Sequence, residues 1–252
     1  INHAGTQVLT TDKEGDTRLW EIASGQMLLT YPDLYGPVFN PDDSLIFGYA
    51  NFGNIKIDDF RPNQEPVDVL RTPGLAILSA VFRSDIKKIL VTGTSVQEVS
   101  EDLFAVIRDL ETTPPRQVNL IGHTASVSSG LFDSAGKHVF TFSDDGTVRL
   151  WDAETGEQLK VFTHGSKVTS VKLIEEESIL VTTGADGAIR LWNFETGELL
   201  RTLLGHKAPI IDAFFNPVSM LLVTTGEDNV IKFWDLQIGR PQRVFEFGNT
   251  DF

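Results

Sequence analysis

The recurrence of one short segment, each copy closing on a tryptophan, constrains the fold of this chain more than any other feature of its sequence. Four copies align without a gap, at residues 8–21, 139–152, 180–193 and 222–235. The tryptophans fall in one column of this alignment: Trp20, Trp151, Trp192 and Trp234. The last three recur at intervals of ~42 residues, a period typical of stacked units that cannot bury a core alone.

Two weaker copies fill the interval between the first and second tryptophans. Residues 46–59 align without a gap and place Asp58 in the tryptophan column, whereas residues 89–109 place Arg108 there after about six inserted residues. Six repeats then account for residues 1–252, which we interpret as a single domain. The repeats end near Trp20, Asp58, Arg108, Trp151, Trp192 and Trp234.

Each repeat has the pattern of strands. In residues 139–152, VFTFS and TVRLWD flank an Asp-Gly pair, which favours a tight β-hairpin because glycine readily adopts positive φ. Residues 159–162 (LKVF) predict a third strand and residues 168–173 (VTSVKL) a fourth. No segment carries an apolar stripe of helical period. The sequence therefore predicts an all-β chain, a β-propeller of about six four-stranded antiparallel blades.

The order of these residues resembles the WD-repeat family: Gly-His, a strand, Ser or Thr, Asp-Gly, and a closing Trp-Asp. The resemblance covers essentially all of residues 1–252, with repeats two and three degenerate. It implies a rigid, non-enzymatic scaffold that binds a protein or peptide partner across the face around a central channel.

Three histidines precede their tryptophans at the same spacing, with a threonine and an aspartate between. Such sets could be read as catalytic hydroxyl–His–Asp triads, but a nucleophile is needed once and not in every repeat. An indole N–H donates only, so a buried tryptophan needs an acceptor; threonine can accept from it and donate to an imidazole that the aspartate orients. The WD-repeat family is known for this network, and the matching residues are His123, Thr141, Asp145 and Trp151; His164, Thr182, Asp186 and Trp192; and His206, Thr224, Asp228 and Trp234.

The first three repeats depart from this pattern. Glu14 and Phe52 occupy the aspartate column in repeats one and two, and Pro73 lies near the histidine column of repeat three. We therefore expect apolar packing alone to hold these repeats, and we expect them to open first on heating.

The resemblance also locates a partner-binding face. In the family, the residue before the network aspartate and the residue three after the histidine surround the channel mouth, where neither has to pack or to satisfy a buried group. A third element is the insertion at residues 95–102, whose charges are all negative, so we expect a partner with basic residues. The positions are Lys13, Asn51, Asp144, Ala185 and Glu227; Asp33, Ala76, Ser126, Lys167 and Pro209; and Glu98, Glu101 and Asp102.

Composition narrows the classes of partner. Lys and Arg number 21 and Asp and Glu 35, a formal net charge of −14, so nucleic acid and anionic membranes are not expected partners. The absence of cysteine excludes disulfides and thiolate metal sites. The acidic run Glu175–Glu177 is interpreted as a solvated turn, and no metal, cofactor or small-molecule substrate is expected. The cytoplasm is the default compartment.

Two alternatives stay open. Aligned on the repeats, the chain begins and ends inside the same strand of the pattern, so we expect it to be part of a longer polypeptide. The propeller could then be the sensor or autoinhibitory end of a larger signalling protein, such as a switch ATPase or a kinase. An enzyme or sugar-binding propeller is the other alternative.

Overall fold

A computed structural model describes residues 1–39, 43, 46–50, 54–58, 67–71, 75–85, 87–95, 104–112, 116–216, 219–236 and 240–246. Apart from one 3₁₀ turn at Glu175–Glu177, the regular elements among them are β-strands, which confirms the all-β class. No helix in these ranges has the length and apolar character needed to cross a membrane. The chain divides into two compact units, residues 1–117 and 118–252, and each is described by itself.

The first compact unit contains three antiparallel sheets. Sheet 1 has three strands, β1 (Gln7–Thr11), β2 (Thr17–Glu21) and β3 (Met27–Tyr31). Sheet 2 has four, β4 (Tyr35–Phe39), β5 (Ile46–Ala50), β6 (Asn54–Asp58) and β7 (Val67–Arg71). Sheet 3 contains β8 (Leu75–Phe82), β9 (Lys88–Ser95) and β10 (Phe104–Asp109), with the short β11 (Gln117–Asn119) at its edge, where the two units divide.

The second compact unit contains three sheets of four strands each. Sheet 4 has β12 (Val127–Phe132), β13 (His138–Ser143), β14 (Thr147–Asp152) and β15 (Gln158–Thr163). Sheet 5 has β16 (Val168–Ile174), β17 (Ile179–Gly184), β18 (Ala188–Asn193) and β19 (Leu199–Leu204). Sheet 6 has β20 (Ile210–Asn216), β21 (Leu221–Gly226), β22 (Val230–Asp235) and β23 (Arg240–Glu246).

The tryptophan column of the sequence is a single position of strand register in all six sheets. At this position the second strand of each hairpin pairs with the first residue of the aligned repeat. The pairs are Trp20 with Val8, Asp58 with Ile46, Arg108 with Ile89, Trp151 with Val139, Trp192 with Leu180, and Trp234 with Leu222. The residues that replace tryptophan in repeats two and three therefore occupy its structural place.

The grouping of strands differs from the sequence expectation in one respect. VTSVKL does not complete the sheet of LKVF; it is β16, which pairs with β17 and opens the next sheet. The reason is that a tight turn joins β16 to β17, whereas the histidine loop carries the chain from the outer edge of one sheet to the next. Sheet 1 has three strands among the described residues, whereas each of the other five sheets has four.

The core of the second compact unit lies between its sheets. Trp192 packs on the sheet before its own: the rings of Phe162 in sheet 4 and Trp192 lie 5.9 Å apart, edge to face. Trp234 packs in the same way against Ile189 and Leu203 of sheet 5, all at most 2% exposed. Burial of these large side chains fixes the spacing of consecutive sheets.

Candidate partner-binding face

The histidine of repeat four links an aspartate to a tryptophan through a threonine. His123 Nδ1 lies 2.8 Å from a carboxylate oxygen of Asp145, and its Nε2 lies 2.8 Å from Thr141 Oγ1. Trp151 donates its indole N–H to the same Oγ1, also at 2.8 Å. Since a carboxylate only accepts, Nδ1–H donates to Asp145 and Nε2 accepts from the threonine, which makes the imidazole neutral.

The electrostatics of this site agree with a neutral ring. Burial lowers the pKa of His123, and Asp145 only partly opposes that effect. For Asp145, burial would raise the pKa, but hydrogen bonds from Thr147, the Thr124 N–H and His123 outweigh it and lower the pKa. The charged carboxylate and the neutral imidazole therefore have hydrogen-bond partners although they are buried. Their role is to hold the connected loops in one conformation.

Repeat six has the same arrangement as repeat four. His206 Nδ1 lies 2.9 Å from Asp228, its Nε2 lies 2.8 Å from Thr224, and Trp234 donates to Thr224 at 2.8 Å. Asp228 also accepts the backbone N–H of Lys207 at 2.9 Å, which ties the loop after the histidine to the hairpin turn.

Repeat five differs, because an arginine joins its network. The ring of His164 is turned over, so that Nδ1 lies 2.8 Å from Thr182 and Nε2 lies 2.6 Å from a guanidinium nitrogen of Arg190. Arg190 also donates to Asp186 at 2.9 Å, and Trp192 donates to Thr182 at 3.0 Å. His164 Nε2 also lies 3.2 Å from a carboxylate oxygen of Asp186. Because a guanidinium only donates, Nε2 accepts from Arg190 and Nδ1–H donates to the threonine, the reverse of the proton direction in repeat four.

Arg190 helps to lower the pKa of both of its partners, His164 and Asp186. Burial, and after it the positive charge of Arg190, lowers the pKa of His164. Burial opposes ionisation of Asp186, but Arg190, the Ala188 N–H and His164 together lower its pKa to about 2. This role of Arg190 was not predicted from the sequence. The signal was present, since an arginine also stands two residues before the tryptophan in repeats one and four.

Repeat one keeps part of the network, so the expectation that apolar packing alone holds it is wrong. Trp20 donates to Thr10 at 2.7 Å, as the later tryptophans do to their threonines. Asp12, two residues before the expected column, accepts from Arg18 at 2.9 Å and from the Asp16 N–H at 2.9 Å. In repeat one these hydrogen bonds are therefore accepted by Asp12 and not by Glu14, the residue in the aspartate column.

The two columns of face residues meet in the second compact unit. In each repeat, the residue before the network aspartate donates its N–H to the carbonyl of the residue three after the histidine, at 2.9 to 3.0 Å. The pairs are Asp144 with Ser126, Ala185 with Lys167, and Glu227 with Pro209. All six residues lie at the end of the sheets that carries the β13–β14, β17–β18 and β21–β22 hairpin turns, and we call this set the turn face.

Hairpin-turn glycines hold the turn face together. Gly146, at φ +79°, accepts on its carbonyl the N–H groups of His164 and Gly165 at 2.9 and 3.1 Å. Gly187, at φ +72°, lies so close to the next loop that a Cβ would come within 2.8 Å of the His206 carbonyl and 3.0 Å of that of Ala208. Glycine is needed at Gly187 for its left-handed conformation and for this close approach.

Two charged residues of the turn face, Asp144 and Lys167, are paired with each other. Asp144 accepts from Lys167 Nζ at 3.0 Å and from Ser128 at 3.1 Å. Glu227 is exposed, and Ala185 and Pro209 are half-buried. The uncompensated negative charge of this face is therefore that of Glu227.

The remaining predicted positions belong to the first compact unit. Lys13 and Asp33 are exposed, with Asp33 at φ 52°, and Ala76 is half-buried in β8. Asn51, Glu98, Glu101 and Asp102 lie outside the described residues, as do Phe52 and Pro73. The acidic loop of repeat three thus stays a sequence prediction.

Among the residues that the structure describes, no group of three or more histidine, aspartate or glutamate side chains converges in a way that could hold a metal ion. Glu175, interpreted above as part of a solvated turn, begins the 3₁₀ turn and accepts the Ser134 backbone N–H at 2.7 Å and the Ser134 hydroxyl.

Comparison with protein families identifies repeats in the second half of the chain. Residues 115–152, 156–193 and 197–235 match the family described as WD domain, G-beta repeat. The three matches end on the Trp-Asp or Trp-Asn pair of repeats four, five and six.

Several curated proteins are similar in sequence to part of this chain. The serine-threonine kinase receptor-associated protein of Gallus gallus is 26% identical over 169 residues, 67% of this chain and 45% of that protein. The Homo sapiens protein of the same name is 33% identical over 81 residues, 32% of this chain and 23% of that protein. The 1-butanol dehydrogenase (quinone) of Thauera butanivorans is 31% identical over 84 residues, 33% of this chain and 13% of that protein. The chain thus spans less than half the length of these relatives.

Proposed function

This chain belongs to the WD-repeat family, and we propose that it is a non-enzymatic scaffold that binds a protein or peptide partner on its turn face. The observation that carries the proposal is the pairing of the two face columns. Three consecutive repeats present paired backbone positions at the same end, and in repeats four and six a buried His–Asp contact lies beside the pair. A rigid set of loops on a β scaffold is suited to recognition, because little conformational entropy is lost on binding.

The chemistry of the networks supports binding rather than catalysis. In repeats four and six the threonine hydroxyl is occupied on both sides, since it accepts from the indole and donates to the imidazole. Its oxygen is also buried, so no substrate atom can reach it. The match to a quinone dehydrogenase covers 13% of that enzyme, and we assign none of its activity to this chain.

A partner with basic residues fits the charge of the protein. The chain carries a net charge of −14, and Glu227 places an unpaired negative charge on the turn face. Charges at the rim of an interface mainly raise the association rate. We propose a partner segment containing lysine or arginine, in cytoplasmic surroundings.

The test is a charge reversal with a matched control at the other end of the sheets. Partners captured on the intact protein are identified and purified, and association rates are measured at two salt concentrations. We expect Glu227→Lys to slow association about threefold to tenfold and to flatten its salt dependence. Glu198, exposed in the β18–β19 connection at the opposite end, gives the control Glu198→Lys.

The outcome separates the two ends of the sheets. If Glu198→Lys slows association while Glu227→Lys does not, the partner binds at the wrong end for this proposal. The alternative of a sensor or autoinhibitory propeller in a larger signalling protein stays a prediction. It would be supported by a change in the activity of a neighbouring ATPase or kinase domain when Glu227 is reversed.

A further inference from the structure

A groove lies in the second compact unit at the end opposite the turn face. The register places the β12–β13 turn and the Glu175–Glu177 turn at that end, since the hairpin turns of the turn face close the other end of the same strands. The groove has a volume of about 470 Å³ and is lined by Ser134, Lys172, Leu173, Ile174, Glu175, Glu176, Phe214 and Phe215.

The floor of the groove is apolar, and it includes one aromatic side chain that is exposed to solvent. Phe214 is 66% exposed although it lies inside strand β20. Half-buried Phe215 packs into the core between sheets 5 and 6, and half-buried Leu173 packs into the core between sheets 4 and 5. Phe215 and Leu173 are therefore fixed by two cores, whereas the Phe214 ring remains accessible to a ligand.

The rim of the groove carries net negative charge. The carboxylate of Glu175 is fixed by the backbone N–H and hydroxyl of Ser134, and Glu176 is exposed. Lys172 is the lining cation, and its Nζ lies 3.7 Å from a carboxylate oxygen of Asp212. Because that lysine already faces an opposite charge, the two glutamates determine the sign of the site.

We propose that this groove binds a peptide segment in which a lysine or arginine adjoins an apolar residue. A cation is attracted to an aromatic face and to carboxylates, and here both border one cavity. The volume is at the small end of ligand pockets, which suits one or two side chains rather than a folded domain. The proposal is independent of the turn face, because the two surfaces lie at opposite ends of the sheets.

Three model octapeptides test the proposal by calorimetric titration of the intact protein. They are GSLRLSGS, the same peptide with glutamate in place of arginine, and the same peptide with serines in place of both leucines. We expect the first to bind about tenfold more tightly than either of the others, and its affinity to fall with added salt.

Two variants assign binding to the groove. Phe214→Ser and Glu176→Lys change exposed side chains, and each should weaken GSLRLSGS about fivefold or more while the melting temperature is retained. Glu198→Lys makes the same charge change at the same end but outside the groove, and it should leave the affinity within about twofold.

Four outcomes would overturn the proposal. They are equal binding of the arginine and glutamate peptides, no binding at millimolar peptide, tighter binding of the acidic peptide, and binding that neither groove variant changes. Loss of peptide binding in Glu227→Lys alone would move the site to the turn face. That result would reject the groove without rejecting the proposed function.

Discussion

At the scale of single residues, the three networks use the same residue types but differ in the hydrogen bonds that the histidine makes. In repeats four and six the aspartate orients a neutral histidine, whereas in repeat five Arg190 donates to both His164 and Asp186. A buried acceptor left without its donor costs more than a hydrogen bond gains. The arginine has therefore become a structural requirement in repeat five.

Replacement of this arginine tests that requirement. We expect Arg190→Gln to lower the free energy of unfolding by about 1–2 kcal/mol, because His164 Nε2 and Asp186 both lose a donor. The matched control is Lys232→Gln, at the same column of repeat six, which should cost less than about 0.5 kcal/mol. Urea denaturation measures both, and equal costs would show that Arg190 is an ordinary surface residue.

The pH dependence of stability follows from the histidines. Burial lowers the pKa of His123 and of His164 from 6.5, so below that value the unfolded chain binds more protons than the folded one. Their contribution to stability is complete above about pH 7 and is lost as the pH falls from there, with a slope of at most about 1.4 kcal/mol per pH unit for each proton.

A double variant separates this effect from the carboxylates. The pKa values of Asp145, Asp186 and Asp228 are lowered from 3.8, so their contribution is lost only below about pH 4. We expect urea midpoints of the wild type to fall between pH 7 and pH 5, and those of His123→Gln/His164→Gln to change much less over that range. The same slope in both proteins would refute the assignment.

At the scale of elements, contact between a hairpin turn and the next loop organises the turn face. Gly187 meets carbonyls of the following loop, whereas a Cβ at Gly165, with φ +89°, would meet nothing within 4 Å. Both glycines need a left-handed conformation, but only one also needs the absence of a side chain. The pair therefore separates backbone strain from close packing.

Alanine substitutions at Gly165 and Gly187 test this difference between the two glycines. Gly165→Ala should cost about 1 kcal/mol of unfolding free energy from backbone strain. Gly187→Ala should cost at least about 1 kcal/mol more, because its Cβ would press on two carbonyl oxygens. The measurement is again urea denaturation, and a smaller loss in Gly187→Ala than in Gly165→Ala would contradict the proposed contact.

Most of the fold was predictable from the sequence, because the tryptophan column coincides with one position of register in every sheet. The grouping of strands was not, since a periodic pattern does not reveal which sheet VTSVKL joins. The role of Arg190 was equally hidden: arginines in the same column contact Asp12 in repeat one and Gln158 in repeat four. Choice among such partners depends on side-chain geometry.

At the scale of the whole molecule, the complete His–Asp networks are concentrated in the second compact unit. Repeat one contributes only the indole–threonine bond and an acidic turn. The earlier opening of repeats two and three on heating stays a prediction. The second unit carries the complete networks and the paired face columns, and the proposed partner-binding site lies on that unit.

The most direct test of partner binding at the turn face is site-specific photo-crosslinking. Benzoylphenylalanine is introduced at position 227 or, as the control at the opposite end, at position 198, and the protein is irradiated with its captured partner. We predict a covalent adduct with the partner from position 227 and none from position 198. Adducts from position 198 alone, or from neither position while the partner stays bound, would contradict the account.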